Sequence, residues 1–580
     1  MKYPSRFMTY KSFPVFLMML SLLGTASLSY GQSPADDFAR RQAEQQKKQQ
    51  IDQLRHFTPN AGPSPQLKQP LIPDDGTCFT INHVVVESAT KLSSRTISSI
   101  TSPYDNKCIG LSDIQALMKA LTDAYLSKGY VTARVYIPEQ DIKTSKILRL
   151  LVQEGKLSSL YYNGKPTSLY DGVMLSAFPG ILGKVLNMRD VEQGLDQMNR
   201  LASNNAKSEM LPGGNDGSTI LNITNQRDKP WQVNLSHDNL GQQSTGYARY
   251  NAGLTLDNIL KINDIWNFSY QRTDKDYWKQ SPQDRHSNSY SGSVSIPHGY
   301  WTFNISGYFY NYHSIVQGQY EPMKTSGDSR ELRGGASRII HRDGNSLTTL
   351  NMGLAYKSTN NFLLGNKIEV GSRQYTVGNL GLSHSRQMLK GTWTFDVSYL
   401  QGLNAFGAVK KHEPAAGDAD PEFSKFTATI SVMTPFKIGK QNFILSNLLV
   451  GQYSPDQLFG AEQISIGSYS NVRGARESLI YGNNGFFTRN DIIWRTVPWT
   501  KNATLASTLG EFRPYFGLDY GQVFAQAKYR FEDNNLASWT VGAKLSGGKF
   551  SLDGGYSEIF STTVKKDKGG MGFISVSMNF

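Results

Sequence analysis

His412-Glu413 opens like the helical zinc-protease motif, in which two imidazoles one turn apart bind the metal and the glutamate activates water. Ala416 stands where the second imidazole would have to be, and Pro414 breaks the helix that must present both ligands. His237-Asp238-Asn239 sets an imidazole beside a carboxylate, the pairing of a base with its orienting group. No nucleophile accompanies it, G-x-S-x-G is absent, and it reads as a structural or turn feature. Cys78 and Cys108 are the two cysteines. Outside the inner membrane, an oxidising compartment favours a disulfide between them over two free thiols, and the loop so closed would contribute about 3 kcal/mol. No Cys-x-x-Cys or neighbouring histidine pair completes a metal site. The sequence nominates no catalytic residue, cofactor or metal.

The elements that position these residues begin with Lys2, Arg6 and Lys11 ahead of an apolar stretch, Phe13 to Leu23. That stretch is too short to span a membrane as a helix, and Ser29-Tyr30-Gly31 has a small-x-small cleavage pattern. Residues 1–31 therefore read as a signal peptide, with an N-terminal anchor as the alternative. Ser33-Pro34-Ala35-Asp36 follows as an N-cap, a proline at the first helical position and an acidic third residue, opening a helix over 33–55. Its body is polar on every face, with Phe38, Ile51 and Leu54 as its bulky apolar residues. Such a helix is expected not to pack into a core, but to be solvated, to lie in a water-filled space or to be partly disordered. Residues 56–77 carry prolines at 59, 63, 65, 70 and 73 and read as an extended tether.

From Cys78 the pattern becomes compact α/β. Residues 78–153 hold a strand near Ile81 to Val86 and a helix with a Ser112–Gln115 capping box. On that helix Ile114, Leu117, Met118, Leu121 and Tyr125 share one face, with Gly129 as its stop. An alternating strand over Val131 to Ile137 and another over Ile147 to Val152 complete the unit. Residues 154–226 follow the same order: Leu157 to Tyr162, an Asn163-Gly164 turn, a helix after Asn187 carrying Val191, Leu195, Met198 and Leu201, and a strand over Thr219 to Thr224. The two units look like an internal duplication.

From Trp231 the period is two: Trp393, Phe395, Val397 and Tyr399 alternate with Thr394, Asp396 and Ser398, and the last residues repeat the pattern to Phe580. A mean hydropathy of −0.42 is compatible with a membrane barrel, because lipid-facing and lumen-facing residues average out along each strand. The 350 residues of 231–580 suffice for about 16 antiparallel strands of roughly 10 residues each, enclosing an aqueous channel. The net charge of +13 is spread along the chain rather than gathered on one element, so no nucleic-acid partner is expected.

This order of parts resembles the two-partner secretion transporters, the TpsB family. Glu462-Gln463-Ile464-Ser465-Ile466-Gly467 followed by Val472-Arg473-Gly474 looks like the family's VRG(F/Y) loop motif, with Ala475 in place of the usual aromatic. Pro514 to Gly521, including Gly517, Asp519 and Gly521, looks like its barrel-strand motif, and Leu211-Pro212-Gly213 like the signature near the end of its second POTRA domain. The resemblance implies a 16-stranded transmembrane β-barrel over 231–580 in the outer membrane, two periplasmic POTRA domains at 78–153 and 154–226, and a plug helix at 33–55. It further implies a lumen-inserting loop near 467–476, locked by an Arg473–Asp519 pair. Its implied function is export of a large, unfolded TpsA-type partner, whether haemolysin, adhesin or contact-inhibition toxin, by a monomer embedded in outer-membrane lipids and needing no cofactor. The alternative is a barrel-assembly insertase, which generally lacks the polar helix; a passive porin would not need the α/β units.

Overall fold

Sixteen antiparallel strands, from Trp231–Asp238 to Gly570–Asn579, form a closed barrel in the computed structural model, which describes residues 33–55, 77–167, 171–214, 217–274, 285–317, 320–477, 479–529, 531–564 and 569–580. The count leaves out Asn366–Lys367, the tip of a hairpin. The signal-peptide reading and all but the last residue of the tether fall outside the described residues. Closure comes from pairing the first strand with the last, Asn234 with Asn579 through Asp238 with Ser575. Along each strand the two-residue period separates lipid from lumen. Val397, Phe426, Ile574 and Phe580 are exposed outward, while Thr394, Asp396, Thr429 and Ser431 point inward and are buried. Strand lengths run from 8 residues in the first strand to 21 in Pro322–Arg342, so several strands extend well past the roughly 10 residues that a bilayer needs.

The two α/β units share one topology. In the first, His83–Glu87 runs parallel to Ile147–Gln153, which pairs antiparallel with Arg134–Tyr136. In the second, Leu157–Tyr162 runs parallel to Thr219–Asn225, which pairs antiparallel with Ala206–Pro212. Each sheet buries one face against helices: Leu148, Leu150 and Val152 against Leu117, Leu121 and Tyr125, and Leu157, Leu221 and Ile223 against Val191, Leu195 and Met198. Cys78 and Cys108 form a disulfide, with 5.4 Å between Cα atoms, across the ribbon of Cys78–Ile81 with Lys107–Gly110. Glu154 lies at the junction of the units and accepts hydrogen bonds from the Thr90 and Lys91 amides (2.7 and 2.9 Å) and from the Tyr125 hydroxyl (2.7 Å). Partial burial pushes its carboxyl up, but these bonds outweigh burial and hold it below the ordinary carboxylate range.

Several local expectations are corrected. The helix of the first unit spans Leu111–Ser127 with Gly110 as N-cap, and Asp113 accepts from the Gly110 amide at 3.0 Å, so the capping side chain is that of Asp113 rather than Gln115. The strand expected at Ile81 to Val86 is two strands divided at Asn82. The alternation at Val131 to Ile137 yields only Arg134–Tyr136 as a strand, because Val131 to Ala133 are taken into the turn that follows Gly129. The helices Ser94–Thr101 and Gly172–Ala177 carried too little apolar periodicity to be read.

The second unit docks on the barrel through the polar face of the helix Met188–Asn199. Gln193 and Gln197 donate to the Gly299 carbonyl at 2.9 and 2.7 Å. Tyr300 donates to Asp190 at 2.7 Å, and Arg342 to Asp196 at 2.6 Å. The apolar stripe thus accounts for one buried face of this helix and the barrel turns for the other; the end of the barrel that meets the second unit is its near rim and the opposite end its far rim.

Candidate functional site

Between Gln441–Tyr453 and Gly485–Arg495, the eleventh and twelfth strands, the chain does not simply turn at the far rim. It folds back into the lumen and returns, paired with itself at Ile464–Ile466 and Ile480–Gly482. The excursion is longer than the expected 467–476. Gly467 and Gly474 (φ +104° and +113°) make its sharp bends, at backbone angles that a side chain would strain. The buried Asn471 side chain shapes the tip, accepting from the amides of Gly467, Ser468 and Val472 at 3.0, 2.9 and 2.7 Å. Val472 is fully buried among Ile464, Ile466, Ile480, Phe487 and Val523, and Ala475 packs at the edge of this cluster. No aromatic is needed there.

That apolar seat aims Arg473 at the wall. Its Nε and Nη2 donate to the two oxygens of Asp519 at 2.6 and 2.7 Å, its backbone amide adds a bond of 3.1 Å, and Nη2 also donates to Asp491 at 2.6 Å. Arg473 is 1% exposed and Asp519 3%, so water screens this fork little. The glycines of the barrel-strand motif make room for it. A Cβ on Gly517 would lie 2.3 Å from Arg473 Nη2 and 2.4 Å from Asp491 Oδ1, and one on Gly521 would lie 2.7 Å from Ile466 Cγ2. Gly517→Ala is therefore expected to displace the guanidinium from Asp491 while the barrel still forms; limited proteolysis of the loop should become several-fold faster, and an unchanged rate would show that the site tolerates the methyl.

The helix Pro34–Arg55 lies inside the barrel, from Asp36 near the far rim to Leu54 near the near rim. Its 22 residues measure about 33 Å, close to the hydrocarbon thickness of a bilayer. The Ser33 hydroxyl accepts from the Asp36 amide at 3.1 Å, forming the N-cap. The polar body meets a polar wall. Arg373 donates to Asp36 at 2.7 Å, Gln242 to Asp37 at 3.0 Å, Gln50 to Ser383 at 3.2 Å, and Lys47 pairs with Asp396. The helix does find one apolar seat, contrary to the reading that it could join no core: Phe38 stacks on Tyr310 at 4.0 Å and meets Tyr308 edge-on. Glu44 touches the loop tip, accepting from Asn471 at 3.3 Å and from Ser470.

Asp491, Asn471 and Glu44 were not singled out from the sequence, because single polar residues carry no periodicity. Gly213, in the Pro-Gly signature, sits where a Cβ would lie 2.5 Å from both Ser158 Oγ and Ser218 Oγ. Asp238 forms a fork with Arg249 at 2.6 and 3.0 Å and is structural. His412 has a positive φ in an outer loop, and no group of His, Cys, Asp and Glu suited to a metal occurs among the described residues.

Residues 217–545 match the family described as haemolysin secretion/activation protein ShlB/FhaC/HecB, residues 79–155 a ShlB-type POTRA domain, and residues 158–212 a POTRA domain. The chain is 30% identical over 537 residues to the outer membrane transporter CdiB of Escherichia coli O6:K15:H31, covering 91% of this chain and 87% of the relative. It is 30% identical over 505 residues to the haemolysin transporter protein ShlB of Serratia marcescens, covering 87% and 84%. The solved structure of CdiB from Escherichia coli superposes with a TM-score of 0.84 at 28% identity, over 94% of this chain and 99% of that one.

Proposed function

Since the chain belongs to the haemolysin secretion/activation family and is an outer-membrane transporter of two-partner secretion with periplasmic POTRA domains, we propose that its lumen is the conduit for one large partner polypeptide and that the helix Pro34–Arg55 is the removable plug of that conduit. The observation that carries this reading is the lumen itself, a closed polar cylinder filled by a helix that is held mainly by polar contacts and joined to the first POTRA domain through residues 56–77.

The Arg473 fork fixes the loop in the lumen, and the protein acts as a monomer whose outward Leu, Val and aromatic side chains face lipid. The partner arrives unfolded and adds strands to the free sheet edges at Arg134–Tyr136 and Ala206–Pro212, main chain to main chain. Such pairing demands little of the partner's sequence. No nucleotide-binding motif is present, so folding of the partner outside the cell makes passage one-way. No catalytic step is part of this reading. The test is surface display of a co-expressed partner polypeptide by the whole chain and by a variant lacking 78–226. Display is expected to disappear with the POTRA domains, and undiminished display would overturn the capture step.

A further inference from the structure

The lumen loop is held at a second place. Before it reaches its tip, the chain passes Gly460 to Glu462, and the Glu462 carboxylate, 4% exposed, is clamped between two lysines of the wall. Lys357 of the seventh strand, Ser346–Leu363, donates to Oε1 at 2.5 Å, and Lys425 of the tenth strand, Ser424–Ile438, donates to Oε2. The Tyr375 hydroxyl of the eighth strand, Arg373–Met388, adds a bond of 3.2 Å. The Glu462 carbonyl accepts from Lys425 Nζ at 3.2 Å and from Gln452 at 3.0 Å, so backbone and side chain are gripped together. Glu331 lies 3.8 Å from Lys357 and accepts from Arg333 at 2.9 Å, so two carboxylates face two ammonium groups and a guanidinium. A buried charge cluster of this kind is costly to break from one side, because the remaining charges stay buried without compensation.

The two anchors lie on different parts of the wall. Arg473 is tied to Asp491 and Asp519 of the twelfth and thirteenth strands, whereas Glu462 is tied to the seventh, eighth and tenth. The plug touches the loop just ahead of each anchor: Arg40 donates to the Gly460 carbonyl, two residues before Glu462, and Glu44 holds Ser470 and Asn471, just before Arg473. When the plug leaves, both of these contacts are lost, and only the wall restrains the loop.

We propose that Glu462, held by Lys357 and Lys425, is a second positioning residue of the transporter. It keeps the descending limb of the loop against the wall of strands seven to ten after the plug has gone, so that the conduit stays a single open channel. This rests on the reading of the lumen as the conduit. While the plug is in place its contact at Gly460 backs up the clamp, and Glu462 becomes decisive only afterwards.

The experiment is single-channel recording in planar bilayers of the full chain and of a variant lacking 33–55, each with and without Glu462→Gln. The plug-less channel is expected to be large and steady, and adding E462Q should raise its open-channel current variance several-fold, while E462Q in the plugged chain leaves conductance low. Glu462→Asp, which keeps a carboxylate between the two lysines on a shorter side chain, should retain part of the steadiness. Lys425→Gln serves as a second variant acting in the same direction should E462Q fail the heat-modifiable mobility shift of a folded barrel. A steady plug-less E462Q channel, or a plug-less Glu462→Asp channel as noisy as E462Q, would overturn the role given to Glu462. If the plug-less parent shows no large conductance, the conduit reading itself fails, and with it this one.

Discussion

Arg473→Ala should abolish most export while leaving a folded barrel in the outer membrane. Removing the guanidinium strands the buried Asp519 carboxylate beside the partly exposed Asp491, and breaking a buried ion pair from one side costs about 3–5 kcal/mol. Each 1.4 kcal/mol is worth tenfold in an equilibrium, so a loop that is docked in nearly every molecule becomes mostly undocked. The barrel itself is held by sixteen ladders of main-chain hydrogen bonds in which the side chains of this pair take no part. Arg473→Lys keeps the charge but cannot span both oxygens of Asp519 and Asp491 together, so intermediate export is expected. Arg473→Ala with Asp519→Ala should be less damaging than Arg473→Ala alone, since it removes a stranded charge. Surface display of the partner, normalised to heat-modifiable barrel, reads all three. Parental display by R473A would mean that the apolar seat of Val472 alone holds the loop.

The second large effect concerns the plug. Phe38→Ala combined with Asp36→Ala and Lys47→Ala should give a channel as large and steady as one lacking residues 33–55. The aromatic contacts of Phe38 with Tyr310 and Tyr308 are worth about 0.5–1.5 kcal/mol beyond burial, and the two ion pairs in a wet lumen about 0.2–1 kcal/mol each. No single contact is decisive. With the burial of the Phe38 side chain, about 1.5–3 kcal/mol, they sum to about 2.4–6.5 kcal/mol, a range that takes in the roughly 3 kcal/mol separating a helix resident almost all the time from one resident half the time. Exchanging charges in Lys47→Asp with Asp396→Lys should leave the plug in place, which separates loss of pairing from loss of the side chain. A triple variant that conducts like the intact chain would mean that the remaining polar contacts of Arg40, Glu44 and Gln50 are enough to hold the helix.

Regular patterns were legible in the sequence and solitary contacts were not. The alternation at Trp393 to Tyr399 marked a strand with one lipid face, and Val191, Leu195 and Met198 marked a helix with one buried face, because burial repeats at the period of the backbone. The same period could not reveal that Gln193 and Gln197 are buried too, since polar residues on the outer face of a helix read as solvated until the barrel turn at Gly299 is seen beneath them. Arg473 and Asp519 were singled out by family resemblance, which placed the pair but not Asp491, the third member of the fork. Glu462 stood at the start of a recognised motif, yet Lys357 and Lys425, which give it its environment, lie more than 30 residues away on other strands and carry no pattern of their own. The Phe38 seat failed for a related reason: one aromatic among charges does not make a stripe, and its partners Tyr308 and Tyr310 belong to the barrel.

The disulfide of the first POTRA domain has a mechanical side. The 22 residues of 56–77 can reach at most about 75 Å, more than twice the length of the helix they follow, so the plug can clear the barrel while still moored. Any pull along that mooring arrives at Cys78, the first residue of a ribbon only four pairs long, which such a load would peel open from its end one pair at a time. The bond to Cys108, which lies opposite Thr80, passes the force diagonally across the ribbon past its first two pairs, and through Lys107–Gly110 directly into the helix Leu111–Ser127 at the centre of the domain. The tether is thus made fast with a covalent cleat, and the domain can bear tension at the point where it is applied.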